Sequence, residues 1–317
     1  MNVSTEVKDF QELDEGILLY HQISATTFVV SGCLTNVLCM TAIVRAGSHK
    51  NLGTAFFLNI FVIDFLVSIT SLLSVSVKSF TIKRVCDDIW CHVMGFLTNT
   101  LIGAELNGLA MISLNCYALI VPGNHLRNHF TNRKRVCIMI MTSYLFPMLV
   151  LLLPSFNVWG KFSYGKVELV CTAFRSQDHF GTFIIIFSLI LTFPILIGTY
   201  VCIFRAVVKS NKVMDKTHTE PSGQNTSEDK KVTRERKQQR ARTQLMTSVT
   251  SMVVSYAVLY FPVSFLLKAD PKTTKWSVYV HLTIYYIGWS HCTVNSLVYT
   301  LTNRKLRETL NSLLCNK

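Results

Sequence analysis

Seven long apolar runs constrain this chain more than anything else in it. They are Ile17–Val44, Leu52–Val77, His92–Ile120, Val136–Val158, Phe180–Phe204, Leu245–Leu267 and Trp276–Thr302. Each reaches the roughly 20 residues that a helix needs to cross a bilayer. Several contain Gly, Pro, Ser and Asn, which membrane helices tolerate. Only 15% of the 317 residues are charged, where a soluble domain of this length carries nearer a quarter. The expectation is an all-α, seven-transmembrane helix bundle forming one domain over residues 17–302, preceded by an N-terminal segment 1–16 and followed by a tail 303–317.

Seven spans put the termini on opposite sides, and Lys and Arg decide which is which. The connections after spans one, three and five, together with the C-terminal tail, hold 21 of the 31 basic residues. This predicts an extracellular N-terminus and a cytoplasmic C-terminus. The net charge of +13 is then an orientation signal and a contact for anionic lipids, not a nucleic-acid signal. Residues 1–16 carry Glu6, Asp9, Glu12, Asp14 and Glu15, so they lack the basic-then-apolar pattern of a cleavable leader, and the first span is expected to direct its own insertion. Asn2-Val3-Ser4 is a glycosylation sequon on the outer side. Asn225-Thr226-Ser227 has the same pattern but is placed in the cytoplasm.

The longest polar break, Ser210–Gln239 within the cytoplasmic loop 205–242, is expected to be disordered at Pro221-Ser222-Gly223 and to end as a basic helical extension of span six. After the last span, Leu306, Leu310, Leu313 and Leu314 recur at helical spacing among Arg304, Lys305, Arg307 and Glu308. That pattern predicts a short amphipathic membrane-surface helix, with Cys315 at its end a candidate for palmitoylation or a plain free thiol. Most of the ten cysteines lie inside spans as small packing residues. Cys86, Cys91 and Cys171 fall at outer edges, where an oxidising environment permits a Cys91–Cys171 bridge with Cys86 as a competitor.

Asp64, Glu105 and His291 each sit in a span that otherwise has no Lys, Arg, Asp or Glu. Ionisable groups at bilayer depth are costly and usually face a bundle interior. His291 and Asn295 are four apart and share a helix face. Two carboxylates in a dry site should not both be ionised unless a proton, a charged imidazole or a cation offsets them. A neutral hydrogen-bonded packing network is the plainer alternative.

In order along the chain come Thr35-Asn36-Val37-Leu38, then Leu58 to Asp64, then a third span opening at Cys91 and closing with Asn115-Cys116-Tyr117. Pro194 follows in span five, Tyr260-Phe261-Pro262 in span six, and Asn295-Ser296-Leu297-Val298-Tyr299 in span seven. Together these resemble the rhodopsin-like G-protein-coupled receptors, over essentially the whole chain. Leu153 to Phe156 and Val170 to Phe174 are similar to the melatonin-receptor neighbourhood. The resemblance implies a plasma-membrane, multi-pass receptor for an extracellular small-molecule ligand, signalling through a heterotrimeric G protein and doing no enzyme chemistry. Its spacing implies the Cys91–Cys171 pairing. Its register places Asp64, Glu105, His291, Cys292 and Asn295 around one cavity, where a sodium ion or a proton is expected. It also points Thr98, Asn99, Ile102, Ile186, Ile190, Tyr260, Leu267 or Lys268, Tyr285, Tyr286 and Trp289 into a ligand pocket. Thr98 where amine receptors carry aspartate, Trp289 where opsins carry lysine and Ile190 at a polar melatonin contact argue against those ligands. What is left is an apolar, aromatic pocket with Lys268 at its rim, which suits a lipid-like or aromatic ligand, anionic ones included. For each aromatic taken singly, ordinary helix packing is the plainer reading.

Of the switch positions Asn115, Cys116, Tyr117 and Tyr299, the tyrosines keep the family pattern while their surroundings depart from it. Cys116 replaces the family's arginine, Arg242 stands where its acidic partner is expected, and Ser296 replaces proline. These departures keep a second reading open, a non-coupling decoy or chaperone-like receptor. A proton-coupled transporter would also use buried carboxylates and histidine, but the chain shows no internal repeat of the transporter kind.

Overall fold

In this computed structural model the described residues are 15–80, 88–121, 123–165, 167, 169–173, 179–217, 226–270 and 273–315. Asn2, Cys86 and Asn225 lie outside them, as does Pro221-Ser222-Gly223. The helices are α1 (Glu15–Arg45), α2 (Leu52–Phe80), α3 (Asp88–Ile120), α4 (Arg133–Ser155), α5 (Phe180–Thr217), α6 (Thr226–Ala269), α7 (Val278–Trp289), α8 (His291–Thr302) and α9 (Arg304–Leu314). A one-turn helix precedes α4, and two short strands, β1 (Ser163–Tyr164) and β2 (Cys171–Thr172), pair antiparallel between α4 and α5.

α1, α2, α4, α5 and α6 each contain a stretch long and apolar enough to cross a membrane. α3 has 33 residues, enough for about 50 Å at 1.5 Å per residue, but Asn99, Glu105, Asn107 and Asn115 interrupt its apolar surface. α7 and α8, 12 residues each, make one crossing only as a stacked pair. Asn36, Asp64, Glu105, Ser113, His291, Asn295 and Ser296 are fully buried, whereas Leu34, Ile138 and Phe204 are each at least 60% exposed on the perimeter. This distribution suits a bundle with lipid outside, where polar side chains find partners only among other helices.

α3 is the central helix, touching α2, α4, α5 and α6, while α8 closes the ring onto α1, α2 and α6. Small residues let α3 approach its neighbours. A Cβ on Gly103 would fall 2.6 Å from Pro147 Cβ, and one on Gly108 would fall 2.7 Å from Ile60 Cδ1. α5 packs on α3 and only lightly on α6, which leaves a gap in the wall. The Cys91–Cys171 disulfide, with Cα atoms 5.2 Å apart, ties the β1–β2 hairpin to the start of α3.

Three boundaries differ from the sequence reading. α5 continues to Thr217, past the expected end of span five, while α6 begins at Thr226 and supplies the basic helical extension that the sequence predicts. The reason is local. Apart from Pro221-Ser222-Gly223 the segment is rich in Lys, Arg, Glu and Gln, good helix formers that water solvates. Span seven is not continuous, because the regular helix is interrupted at Ser290. There His291 Nδ1 donates to the Gly288 carbonyl at 2.7 Å and competes for the acceptor of the next helical bond. Span four ends at Ser155 rather than Val158, and Asn157 adopts a left-handed φ of 54°. α9 is capped by Asn303, whose side chain accepts from the Leu306 N–H, and it buries Leu306 and Leu310 while Arg304 pairs with Glu308 in the open.

Candidate functional site

A cavity of about 1050 Å³ runs down the bundle between α3, α4, α5, α6 and α7. Its end beneath the hairpin is lined by Val170, Cys171 and Thr172, and its far end reaches Tyr200, Met246 and Thr250. α5 contributes lining residues from Thr182 to Phe204, about 33 Å of helix axis, so the space is a slot rather than a shallow cup. The wall is mostly aliphatic and aromatic, as ligand pockets between helices usually are. Lys268 is its one charged side chain among the described residues, and its Nζ donates to Thr182 Oγ1 at 3.2 Å. The Tyr260 hydroxyl is buried with no hydrogen-bond partner among them.

Thr98, Asn99, Ile102, Ile186, Tyr260, Leu267, Lys268, Tyr285 and Trp289 all line this cavity. Ile190 and Tyr286 do not, and both are corrections. The buried stripe of α5 passes through Thr192, Leu196, Thr199 and Ile203, which leaves Ile190 on the outside at 68% exposure. Tyr286 is buried against α1, where its hydroxyl meets His21 Nδ1 and its ring stacks on Phe28. Consecutive residues lie about 100° apart around a helix, and at this point of α7 that step carries Tyr286 from the cavity onto α1.

Behind the cavity floor lies the polar core. His291 Nε2 is 2.7 Å from Glu105 Oε2 and 3.8 Å from Asp64 Oδ1. Asn295 Nδ2 donates to Glu105 Oε1 at 2.9 Å and to Asp64 Oδ2 at 3.2 Å. Cys292 Sγ is 3.2 Å from His291 Nε2. Tyr256 and Tyr260 separate this cluster from the cavity, with ring centroids 5.8 and 4.9 Å from that of His291. Asn36 Nδ2 donates to the Cys292 carbonyl at 2.9 Å, so α1 holds α8 where span seven breaks.

The switch residues lie at the end of the bundle away from the hairpin. Asn115 and Cys116 are buried, and Cys116 belongs to the apolar cluster of Ile203, Val249 and Met252. Tyr117 packs at the edge of that cluster. Tyr299 packs its ring 4.5 Å from Phe57 and 5.4 Å from Phe61. Cys315 is an exposed free thiol at the end of α9.

Two features were missed in the sequence. Tyr144 Oη donates to Asn59 Oδ1 at 2.7 Å and links α4 to α2. Asp270, just past α6, accepts the backbone N–H groups of Thr274, Lys275 and Trp276 and lies 3.1 Å from His281 Nε2. Burial works against a charged Asp270, but these donors outweigh it and lower its pKa to about 2. An isolated Asp before a short loop gives little warning of such a clamp, since its acceptors are filled by backbone the sequence does not place.

The family model described as "7 transmembrane receptor (rhodopsin family)" matches residues 35–299. The chain belongs to the rhodopsin family of seven-transmembrane receptors. It is a membrane receptor, not an enzyme. It is similar to the G-protein coupled receptor moody of Drosophila melanogaster, at 21% identity over 95% of this chain and 52% of that protein. It thus spans about half the length of that relative. Protein trapped in endoderm-1 of the same species is 20% identical over 91% of this chain and 76% of its own length. Melatonin receptor type 1A-A of Danio rerio is 22% identical over 88% and 76%. Among solved structures, squid rhodopsin superposes with a TM-score of 0.78 at 19% identity, covering 96% of this chain and 87% of that one.

Proposed function

We propose that this receptor sits in the plasma membrane with its N-terminus outside, binds an amphipathic ligand with an apolar body and an anionic head, and signals through a heterotrimeric G protein. The cavity carries this reading. The disulfide-tied hairpin lies over one end, and Phe261, Phe265 and Phe204 line the cavity while being 70%, 58% and 65% exposed on the perimeter between α5 and α6. An apolar ligand can therefore be reached from the lipid as well as from water. At the hairpin end Lys268 has only a hydroxyl partner among the described residues, so an anionic head gains a charge-assisted hydrogen bond there. The family membership, and relatives that are G-protein coupled receptors by name, support the coupling.

The test is a panel of long-chain carboxylates and their neutral amides, read by dissociation sensors for each G-protein class. Lys268→Gln should weaken the carboxylate by about tenfold or more, a loss of some 1.5–3 kcal/mol for a bond to a charged group, and leave the amide unchanged. Equal potency of acid and amide on the unmodified receptor would remove the anionic head from the reading. The altered motif supports a second reading. With Cys116 in place of the family's arginine and no carboxylate partner for Arg242 among the described residues, a receptor that binds ligand without coupling is served by the same cavity. Ligand binding with every sensor silent would select it.

A further inference from the structure

The polar core contains four side chains of metal-binding type, and their orientations converge. Asp64 comes from α2, Glu105 from α3, and His291 with Cys292 from the start of α8. The first three are fully buried and Cys292 is 3% exposed. Orientation begins with His291 Nδ1, which lies 2.7 Å from the Gly288 carbonyl. A carbonyl only accepts, so Nδ1 carries a proton, and in the neutral ring the lone pair is on Nε2. That lone pair looks at Glu105 Oε2 at 2.7 Å, Cys292 Sγ at 3.2 Å and Asp64 Oδ1 at 3.8 Å. Two acceptors facing each other at 2.7 Å need a positive centre between them. Asp64 Oδ1 receives no hydrogen bond among the described residues, while the other oxygens of both carboxylates are held by Asn295.

We propose that this cluster binds one zinc ion, with His291 Nε2, Cys292 Sγ, Asp64 Oδ1 and Glu105 Oε2 as its four ligands. Tetrahedral zinc takes nitrogen and oxygen at about 2.0–2.2 Å and sulfur at about 2.3 Å, which places ligand atoms about 3.3–3.6 Å from one another. The separations from Nε2 bracket that range, and the ligand atoms of Asp64, His291 and Cys292 all lie within 4.8 Å of each other. Closing the shell draws these three ligand atoms together and turns Glu105 Oε2, which lies outside that group, inward to join them. The mixture of imidazole, thiol and carboxylate selects zinc over hard ions, which prefer oxygen alone and would leave Nε2 and Sγ unused. Outer partners that orient zinc ligands are already in place, the Gly288 carbonyl on Nδ1 and Asn295 on both carboxylates. Binding expels the thiol proton and any proton shared by His291 and Glu105. The ion reaches the site from the cavity past Tyr260, whose ring stands 4.9 Å from His291. It fastens α2, α3 and α8 to one point, whatever ligand fills the cavity above.

The test uses the full-length receptor, purified from cells grown with zinc and measured by inductively coupled plasma mass spectrometry. About one zinc per receptor is expected, the stoichiometry of a single four-ligand site. Cys292→Ser, which keeps the size and polarity of the side chain, and His291→Asn should each reduce it at least about tenfold, since every lost ligand weakens binding. Cys39→Ser should not change it. A membrane-permeant chelator should lower the melting temperature of the unmodified receptor, and added zinc chloride should restore it. If the unmodified receptor holds less than about a tenth of an equivalent and neither reagent moves its melting point, a shared proton occupies the site and the proposal fails. Retention of zinc by both variants would place the ion elsewhere and also overturn it.

Discussion

Cys116→Arg tests how this receptor manages with an apolar group at its switch position. Cys116 has no exposed surface and belongs to the cluster of Ile203 on α5 with Val249 and Met252 on α6. An arginine there has no carboxylate waiting, because Arg242 occupies the α6 position where one would be expected, and the two cations repel. An unpaired arginine inside a membrane helix costs about 2.5–3.5 kcal/mol. The closed bundle bears that cost in full. A bundle in which α6 has swung away from α3 lets the guanidinium reach water and escapes most of it. Differential destabilisation of this size moves a two-state equilibrium about 70- to 400-fold, so a receptor open one time in a hundred becomes open about 40% of the time or more. The measurement is basal signal from sensors of each G-protein class at matched surface expression, with Cys116→Leu as an apolar control that should stay at the unmodified level. If the arginine variant reaches the surface normally and its basal signal is unchanged in every class, burial of Cys116 does not hold the closed state, and the reasoning is wrong.

Gly103→Ala should destabilise the α3–α4 contact by about 1–3 kcal/mol, the usual cost of overpacking, because the new methyl would lie 2.6 Å from Pro147, a ring that cannot swing aside. The melting temperature in detergent should fall, and an unchanged value would show that α4 can slide away freely. Asp270→Asn should loosen residues 273–276, seen as faster amide hydrogen exchange at Thr274, Lys275 and Trp276. The lowered pKa of Asp270 fixes the pH dependence. The clamp is at full strength above the ordinary carboxyl value of 3.8 and is lost as pH falls through about 2. Exchange at those three amides that matches the asparagine variant's at neutral pH would show that the carboxylate is not what holds them.

The sequence by itself determined the parts of this protein that depend on local composition. Apolar length names a membrane helix wherever it packs, so the spans were legible within a few residues. Asp64, Glu105 and His291 stood out because a charge in such a run has nowhere favourable to go but inward. The repeating leucines of α9 were legible for equally local reasons, whereas the Cys91–Cys171 pairing came from the family's spacing. Tertiary structure decided how the inward-facing groups meet and which of their neighbours turn away. Tyr285 lines the cavity and Tyr286 meets α1, although the two are neighbours in sequence and alike in character. Ile190 is turned outward by the phase of α5, which only its packing on α3 fixes. Family register put Cys292 at the polar cavity, but only the structure, with its interruption at Ser290, brings the sulfur to 3.2 Å from His291 Nε2. That interruption depends on a side chain taking the Gly288 carbonyl. Such choices turn on helix rotation and on competition for a single acceptor, and a one-dimensional pattern of apolar and polar residues leaves both undetermined.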